Sequence, residues 1–216
     1  MTITLTGFMG CGKSSIGRKL SELLCCPYID LDSVIEEMVG RSIPEIFAKD
    51  GEAVFRQMET DALRTVLSDG LRVFGRSLRS PHHCASLVVP PLSCRGWHGP
   101  HNPQPHQTEP PYNHSIISLG GGTVMTRECA EMVMENTICI YLRASVDTLV
   151  TNLKDEADGR PMLQSSVSLR ERIEELMSQR ADTYEKTSHI VVDTDGKSID
   201  EIATAIITHP LFQQMR

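Results

Sequence analysis

A glycine-rich segment near the N-terminus has the residue types needed to hold phosphate groups. Residues 7–14 read GFMGCGKS and fit the pattern G-x-x-x-x-G-K-[ST]. Glycines allow the tight turn that directs backbone N–H groups at phosphate oxygens, and a following helix adds its positive N-terminal end. Lys13 would reach the outer phosphates, and the Ser14 hydroxyl would bind magnesium. Because a strand is predicted at 3–8 and a helix at 14–24, we expect a nucleoside triphosphate ligand rather than a chance glycine-rich turn.

Two carboxylates close the next predicted strand. YIDLD at 28–32 contains Asp30 and Asp32, and the two-residue period of a strand would direct both side chains to one face. Ligands of a parallel sheet bind at the carboxyl ends of its strands. One carboxylate could therefore support the magnesium ion while the other contacts a hydroxyl group of the phosphate acceptor.

A glycine triplet and an arginine could complete an acceptor site. The triplet at 120–122 follows a predicted strand at 115–119, and bare backbone there would let a ligand approach closely. Arg56 lies three residues before Glu59 on a predicted helix, so these two side chains share one helix face. A surface ion pair between them is the alternative interpretation.

Two further arginines have competing interpretations. Arg160, in the loop segment DGRP, could close over the phosphates as a lid and stabilise charge in the transition state, or it could be a solvated loop charge. Arg180 could belong to the site, or it could equally be a cation on a helix face near the C-terminus of that helix. The residues alone leave both alternatives open.

Strands and helices alternate along the chain, which predicts an α/β fold: a three-layer sandwich with a parallel five-stranded sheet flanked by helices. Near-continuous apolar runs predict strands at 3–8, 28–32, 115–119, 137–142 and 189–192. Helical spacing of apolar residues predicts helices at 14–24, 33–48 with an interruption near Gly40, 51–67, 126–135, 145–154, 168–185 and 199–207.

Composition restricts the class of protein. The 216 residues suit one domain, and 40% hydrophobic residues can supply its core. A formal net charge of −7 gives no electrostatic support for nucleic-acid binding. The sequence shows no signal-peptide pattern and no apolar run approaching about 18 residues. We therefore expect no membrane span, a cytoplasmic location and seven reduced cysteines.

Residues 70–113 interrupt the alternation. They hold eight of the 12 prolines and show no apolar periodicity, which predicts a disordered or loosely structured insertion within a single domain spanning 1–216. The insertion joins the end of a helix to the start of a strand, so we expect it at the edge of the sheet opposite the ligand site. A catalytic role for it is therefore not expected.

The insertion also contains residue types found in zinc sites. The four candidates are Cys84, Cys94, His98 and His101. Their spacing, C-x9-C-x3-H-x2-H, is wider than the paired cysteines typical of zinc sites, which argues against a metal. A proline-rich docking segment and a product of reading-frame assembly are the other interpretations.

Taken together, these motifs resemble the shikimate kinase family of aromatic amino-acid biosynthesis. The resemblance covers nearly all of the chain outside 70–113. Its segments are GFMGCGKSSIG at 7–17, YIDLD at 28–32, GRSIPEIFAKDGEAVFRQMET at 40–60, SLGGGTV at 118–124, RPML at 160–163 and SQRADTY at 178–184. The combination is much more specific than the phosphate-binding pattern alone, which many families share. The resemblance implies a fold of the P-loop NTPase type.

The resemblance implies a nucleotide side and an acceptor side. ATP would be held by Gly10, Cys11, Gly12, Lys13, Ser14, Ser15, Arg160 and Lys197, the last in the turn at 193–197 where adenine would pack. One magnesium ion would be bound by Ser14 and, through water, by Asp30. Shikimate would contact Asp32, Arg56, Gly120, Gly121, Gly122 and Arg180, the two arginines clamping its carboxylate. The catalytic residues would be Lys13, Asp32 and Arg160.

One segment departs from the family. Members often carry an extra basic residue before the lid arginine, whereas residues 149–154 here read LVTNLK. Lys154 could substitute, but lysine lacks the planar stacking surface of arginine. Weaker nucleotide binding, or a base held by the turn at 193–197 alone, would follow.

The resemblance implies an enzyme that transfers the γ-phosphoryl group of ATP to the 3-hydroxyl of shikimate. Whether Asp32 is a true general base cannot be read from the residues. ATP and shikimate are the expected partners, and a monomer is expected. One alternative is a kinase of another small hydroxylated metabolite, such as gluconate or a nucleotide. The other is a nucleotide-binding module whose catalysis was lost through the insertion.

Overall fold

Short apolar strands pair side by side to form the sheet at the centre of the molecule. The computed structural model describes residues 1–69, 87–88, 115–154, 161–163 and 168–214. Its strands are β1 (Thr2–Thr6), β2 (Tyr28–Asp30), β3 (Leu87–Val88), β4 (Ser115–Ser118), β5 (Ile138–Arg143) and β6 (Ile190–Asp193). Their order across the sheet is β3-β2-β4-β1-β5-β6, and every neighbouring pair except β3–β2 is parallel. The predicted five parallel strands are thus confirmed.

Burial along the strands follows their position in the sheet. Four of the five residues of the central strand β1 and five of the six of β5 are buried, because helices cover both faces there. The edge strand β6 instead alternates buried Ile190 and Val192 with exposed Val191 and Asp193. Continuous apolar runs therefore identify the inner strands, while β6 carries the alternation of a strand with one solvated face.

The helices pack on both sides of this sheet. They are α1 (Lys13–Leu24), α2 (Leu31–Val39), α3 (Ile43–Asp69), α4 (Arg127–Asn136), α5 (Val146–Leu153), α6 (Leu169–Thr187), α7 (Ile199–Thr208) and α8 (Pro210–Gln214). Two 3₁₀ turns cover Thr123–Met125 and Pro161–Leu163. The predicted helix at 51–67 is the second part of α3, which kinks at Gly51 where φ is 81°. The five-residue helix α8 was not predicted, because it is too short to show a period.

The end of β2 differs from the prediction. The strand ends at Asp30, and α2 begins at Leu31, so Asp32 lies in the first turn of a helix. The prediction that strand alternation directs both carboxylates to one face was therefore wrong. An acidic side chain in the first helical turn interacts favourably with the helix dipole, and Leu31, Val34 and Ile35 bury the inner face of that helix.

Two residues of the predicted insertion extend the sheet. Leu87 and Val88 form β3, which pairs antiparallel with Ile29 and Tyr28 of β2. A two-residue strand shows no sequence pattern, so it was not predicted, and it covers backbone groups of an edge strand that would otherwise be open. The other residues of 70–113 lie outside the described part, as do the predicted disorder and the zinc candidates Cys84, Cys94, His98 and His101.

Capping sets the start of the helix that carries Arg180. The Ser168 side chain accepts a hydrogen bond from the Glu171 N–H, and the Glu171 carboxylate accepts one from the Ser168 N–H. This capping box satisfies backbone donors that a helix start leaves without partners. Within the described ranges, no helix is both long and apolar enough to cross a membrane.

Candidate active site

The phosphate loop, residues 7–14, connects β1 to α1. Its Gly10 and Gly12 have φ angles of 79° and 92°, a left-handed backbone that side chains disfavour. Gly12 is the N-cap of α1 and provides no side-chain cap, so the N-terminal N–H groups of α1 can face an anion. The Lys13 ammonium donates to the carbonyl oxygens of Gly7 and Phe8, each at 3.0 Å.

Cys11 and Ser15 occupy different surroundings within the predicted nucleotide set. Cys11 is buried, with its Sγ 4.0 Å from the Lys13 Nζ, whereas Ser15 is exposed in the first turn of α1. Cys11 lies in the loop between β1 and α1, and Ser15 lies within α1 itself. Arg160, the predicted lid residue, lies outside the described residues.

The two predicted magnesium ligands contact each other. The Ser14 hydroxyl donates to the Asp30 Oδ2 at 3.1 Å. The phenol of Tyr28 donates to the same oxygen at 3.0 Å. Burial, together with the nearby Asp30 carboxylate, raises the pKa of Tyr28 to about 12, so this phenol remains a donor at neutral pH. Tyr28 was not predicted, although its i, i+2 spacing to Asp30 in a strand was a usable signal.

Asp32 lies where its negative charge is unfavourable. A Cβ placed on Gly120 would lie 2.7 Å from the Asp32 Oδ1 and 2.7 Å from the Glu59 Oε1, so both carboxylates adjoin this glycine. Burial, followed by the charges of Asp30 and Glu59, raises the pKa of Asp32 to about 7, against an opposing effect of Lys13. A carboxylate with a pKa near neutrality is well matched to proton exchange with a hydroxyl group.

Arg56 is oriented by a buried carboxylate. The Arg56 guanidinium donates to Glu59, whose side chain is only 1% exposed, and to Glu52 at 2.9 Å. The Thr123 hydroxyl donates to the Glu59 Oε1 at 2.7 Å. The i, i+3 pair predicted from sequence is therefore present, but it is not a surface pair. Glu59 holds the guanidinium against Gly122, where any Cβ would overlap it.

Arg180 lies on the inner face of α6. The residue is only 6% exposed, so its guanidinium faces the protein interior rather than solvent. The Nη1 donates to the carbonyl oxygen of Gly121 at 3.4 Å, and the Tyr184 hydroxyl donates to the same oxygen. Tyr184 was not predicted, although it lies one helical turn after Arg180 and therefore on the same face.

The glycine triplet connects the two sides of the site. Gly120 adjoins Asp32, and Gly122 adjoins Arg56. Gly121 accepts from Arg180, and a Cβ on it would lie 3.2 Å from the backbone nitrogen of Met9 in the phosphate loop. An anionic, hydroxylated molecule bound at the triplet would therefore lie next to bound phosphates.

The turn at 193–197 is exposed except for the buried Thr194, and it lies beside α5. Lys197 donates to the Asp193 carbonyl oxygen at 2.8 Å, and its ammonium is solvent-exposed. The Asp195 carboxylate accepts from the Ser145 N–H at 3.0 and 3.1 Å. Within the described residues no hydrogen bond joins Lys197 to the phosphate loop, so its link to a nucleotide stays a prediction.

Comparison with known proteins gives one consistent family. A family model described as shikimate kinase matches residues 9–75 and 108–209. A shikimate kinase of Thermus thermophilus is 33% identical over 205 residues, which cover 95% of this chain and 87% of the relative. The shikimate kinase of Zymomonas mobilis is 34% identical over 206 residues, with 95% and 91% covered.

Solved structures agree in fold. Shikimate kinase from Acinetobacter baumannii, in complex with shikimate, superposes with a TM-score of 0.74 at 24% identity and covers 100% of this chain and 95% of that one. Shikimate kinase from Bacteroides thetaiotaomicron gives a TM-score of 0.69 at 23% identity, with 96% of each chain covered. At these identities the similarity supports the P-loop α/β architecture.

Proposed function

The chain belongs to the shikimate kinase family, and on this basis we propose that it transfers the γ-phosphoryl group of ATP to the 3-hydroxyl of shikimate. The products are shikimate 3-phosphate and ADP. The observation that carries the proposal is the glycine triplet, which adjoins Asp32, Arg56 and Arg180 on one side and the phosphate loop on the other. A carboxylated, hydroxylated acceptor fits two guanidinium groups and a carboxylate with a pKa of about 7.

On the donor side, the phosphate loop residues from Gly10 to Ser15 hold the triphosphate. Lys13 donates to two loop carbonyls in the structure, and these same N–H donors can turn to the outer phosphate oxygens. Arg160 is proposed to close over the phosphates, and Lys197 to lie near the base. Phosphoryl transfer depends mainly on positioning and charge neutralisation, which is what these cationic and backbone groups supply.

The residues of the site fit one magnesium ion. Magnesium in kinases is held by one or two protein oxygens together with phosphate oxygens and water. The Ser14 hydroxyl and the Asp30 carboxylate, 3.1 Å apart, provide hard oxygen ligands beside the phosphate loop. When bound, magnesium would neutralise phosphate charge, with Ser14 as ligand and Asp30 acting through water.

On the acceptor side, Arg56 and Arg180 bind the shikimate carboxylate. Glu59 holds the Arg56 guanidinium in place, so the clamp is oriented before the substrate arrives. Asp32 orients the 3-hydroxyl for in-line attack and accepts its proton as the bond to phosphorus forms. The proton thus passes from the hydroxyl to Asp32, while the electrons of the broken bond remain on ADP.

The monomeric state, the cytoplasmic location and the absence of nucleic-acid partners stay predictions. A kinase of another hydroxylated metabolite remains the rival function. The paired arginines favour a carboxylated acceptor, which both shikimate and gluconate are, so a comparison of acceptors has to separate these two.

A coupled assay of ADP release tests the proposal. Shikimate, gluconate and a nucleoside monophosphate are compared as acceptors with the full chain, ATP and magnesium. We expect turnover with shikimate at least roughly 100-fold above the others, because a site built for bound polar groups rejects acceptors that leave them unpaired. Lys13→Ala should abolish turnover, since it removes the ammonium that neutralises the phosphates.

The matched control is Lys19→Ala, which lies on the same helix and pairs with Asp200 on α7. It should retain wild-type turnover. If turnover with gluconate or the nucleotide is faster than turnover with shikimate, that acceptor is the substrate instead. ADP binding without turnover on any acceptor would identify the non-catalytic module.

A further inference from the structure

The last turn of α5 contacts the outer side of the phosphate loop. The Asn152 Nδ2 donates to the carbonyl oxygen of Gly10 at 2.9 Å, although 142 positions separate the two residues in the sequence. The next side chain, Leu153, is fully buried and lies directly over Gly10, since a Cβ on Gly10 would come within 2.7 Å of the Leu153 Cγ. One polar and one apolar contact therefore join α5 to the loop.

The polar contact acts on a particular peptide group. The Gly10 carbonyl accepts from Asn152, and the Cys11 N–H of the same peptide donates to the Phe8 oxygen at 3.3 Å. The carbonyl and N–H of a trans peptide point in opposite directions, so these two bonds together set the orientation of the peptide plane. Phosphate binding in such a loop depends on where its backbone N–H groups point.

The other end of α5 is anchored as well. The Ser145 N–H, at its N-cap, donates to the Asp195 carboxylate, and the Ser145 side chain accepts from the Thr148 N–H. Asp147, in the first turn, pairs with Arg170 of α6 at 2.5 Å. Because the helix is held at its beginning, the position of Asn152 at its end is determined rather than free.

We propose that Asn152 is a positioning residue for the nucleotide, acting through the carbonyl of Gly10. Its amide holds the Gly10–Cys11 peptide in the orientation that the phosphate loop needs before ATP binds. The proposal rests on the proposed function only in that the loop binds a nucleotide. It does not depend on the identity of the acceptor.

Two substitutions at one position test the hydrogen bond. Asn152→Ala removes the donor, and loss of one such bond should weaken ADP binding by roughly 3- to 10-fold. Asn152→Asp keeps the shape of the side chain but places an acceptor and a negative charge against the Gly10 carbonyl, so ADP binding should weaken by more than about 10-fold. Calorimetric titration of the full chain with ADP and magnesium measures both, and steady-state kinetics should show a raised ATP KM with shikimate KM within about twofold of wild type.

Thr151→Ala is the matched control. Thr151 is also exposed on α5, but its hydroxyl donates to the Asp147 carbonyl within the helix, and among the described residues it makes no hydrogen bond to the loop. Its ADP affinity should equal that of the wild type. Since alanine favours helix, nucleotide-free Asn152→Ala should also keep its Tm within about 2 °C.

Two results would overturn the proposal. One is ADP affinity within about twofold of wild type in both Asn152 variants, since a hydrogen bond of the expected strength is worth more. The other is a lowered Tm accompanied by equal increases in the KM of both substrates, which a general structural role would produce. If the chain fails to phosphorylate shikimate, the ADP titration still decides the role of Asn152.

Discussion

Asp32 shows how surroundings set the chemistry of a side chain. Its carboxyl adjoins Gly120 and the buried Glu59, and burial is the largest of the effects that raise its pKa to about 7. In the unfolded chain the pKa of aspartate is about 3.9. The folded protein therefore binds this proton more tightly than the unfolded chain does, which links the stability of the protein to pH.

The direction of this linkage gives a test. From roughly pH 4 to 7 the folded state holds the proton that the unfolded state has released, so the free energy of unfolding falls as pH rises. Asp32→Asn removes the unfavourable charge. It should stabilise the ligand-free protein by about 2–4 kcal/mol at pH 8 and by almost nothing at about pH 3.5, measured by urea unfolding. The same variant should lose turnover.

Asp182→Asn is the control for this measurement, because Asp182 lies on α6 with its side chain 86% exposed. Its effect should stay within about 0.5 kcal/mol at both pH values. An Asp32→Asn protein that is no more stable than wild type at pH 8 would show that the charge of Asp32 is not unfavourable in the fold.

At the scale of elements, the glycine triplet after β4 lets the side chains of Asp32, Arg56 and Arg180 approach the same short stretch of backbone. Gly122 has φ −122°, which any residue can adopt, so its backbone does not require glycine. The requirement comes from Arg56, whose guanidinium occupies the space of a Cβ. Glu59 on α3 and Thr123 in the following 3₁₀ turn then keep Arg56 in that space.

Gly122→Ala should therefore impair substrate binding more than folding. The new methyl group displaces the guanidinium, and we expect the shikimate KM to rise by about 10-fold, as for the loss of a charged hydrogen bond. The ATP KM should change little. Steady-state kinetics with each substrate varied in turn measures the difference.

Thr126→Ala is a suitable comparison, because Thr126 lies just beyond the same 3₁₀ turn and its side chain makes no cap hydrogen bond to α4. It should leave the shikimate KM unchanged. A shikimate KM in Gly122→Ala equal to that of the wild type would argue against Arg56 as part of the carboxylate clamp.

At the scale of the whole molecule, the chain consists of two segments that match the family model and a stretch between them that does not. The family model matches 9–75 and 108–209, so residues 76–107 are not matched. Leu87 and Val88 of that stretch pair with β2, whose last residue is Asp30. The stretch therefore touches the sheet at the outer edge of a strand that leads into the site.

A variant lacking 76–107, closed with a short glycine-serine linker, should fold and keep its turnover within roughly threefold of wild type, because the length of a surface connection changes closure entropy only slowly. Losing two strand residues should lower the free energy of unfolding by about 1 kcal/mol. Turnover and urea unfolding of both proteins measure these effects.

Val88→Pro in the full chain separates the strand from the rest of the stretch, because proline removes a backbone donor from β3. It should reproduce the stability loss of the deletion and keep turnover. Loss of turnover in the deletion but not in Val88→Pro would assign the stretch a role beyond edge pairing.

The prediction of elements succeeded where the signal is local. Buried strands are continuous apolar runs and helices repeat their apolar residues, so β1, β5 and α6 were predicted to within about two residues. The same reasoning failed after Asp30, where an apolar Leu31 suits a strand and a helix equally. It also missed β3 and α8, which are too short to show the residue period of a strand or of a helix.

The phosphate loop could be read from the amino-acid sequence alone, because its function lies in backbone turns that contiguous glycines permit and in a lysine and serine at set positions. The sequence also identified which arginines and carboxylates were candidates. The burial, orientation and pKa of these side chains are set only in the folded chain: Arg180 is buried, Glu59 orients Arg56, and Asp32 has a raised pKa. Burial and charge depend on side chains that are distant in sequence. No local pattern records such neighbours.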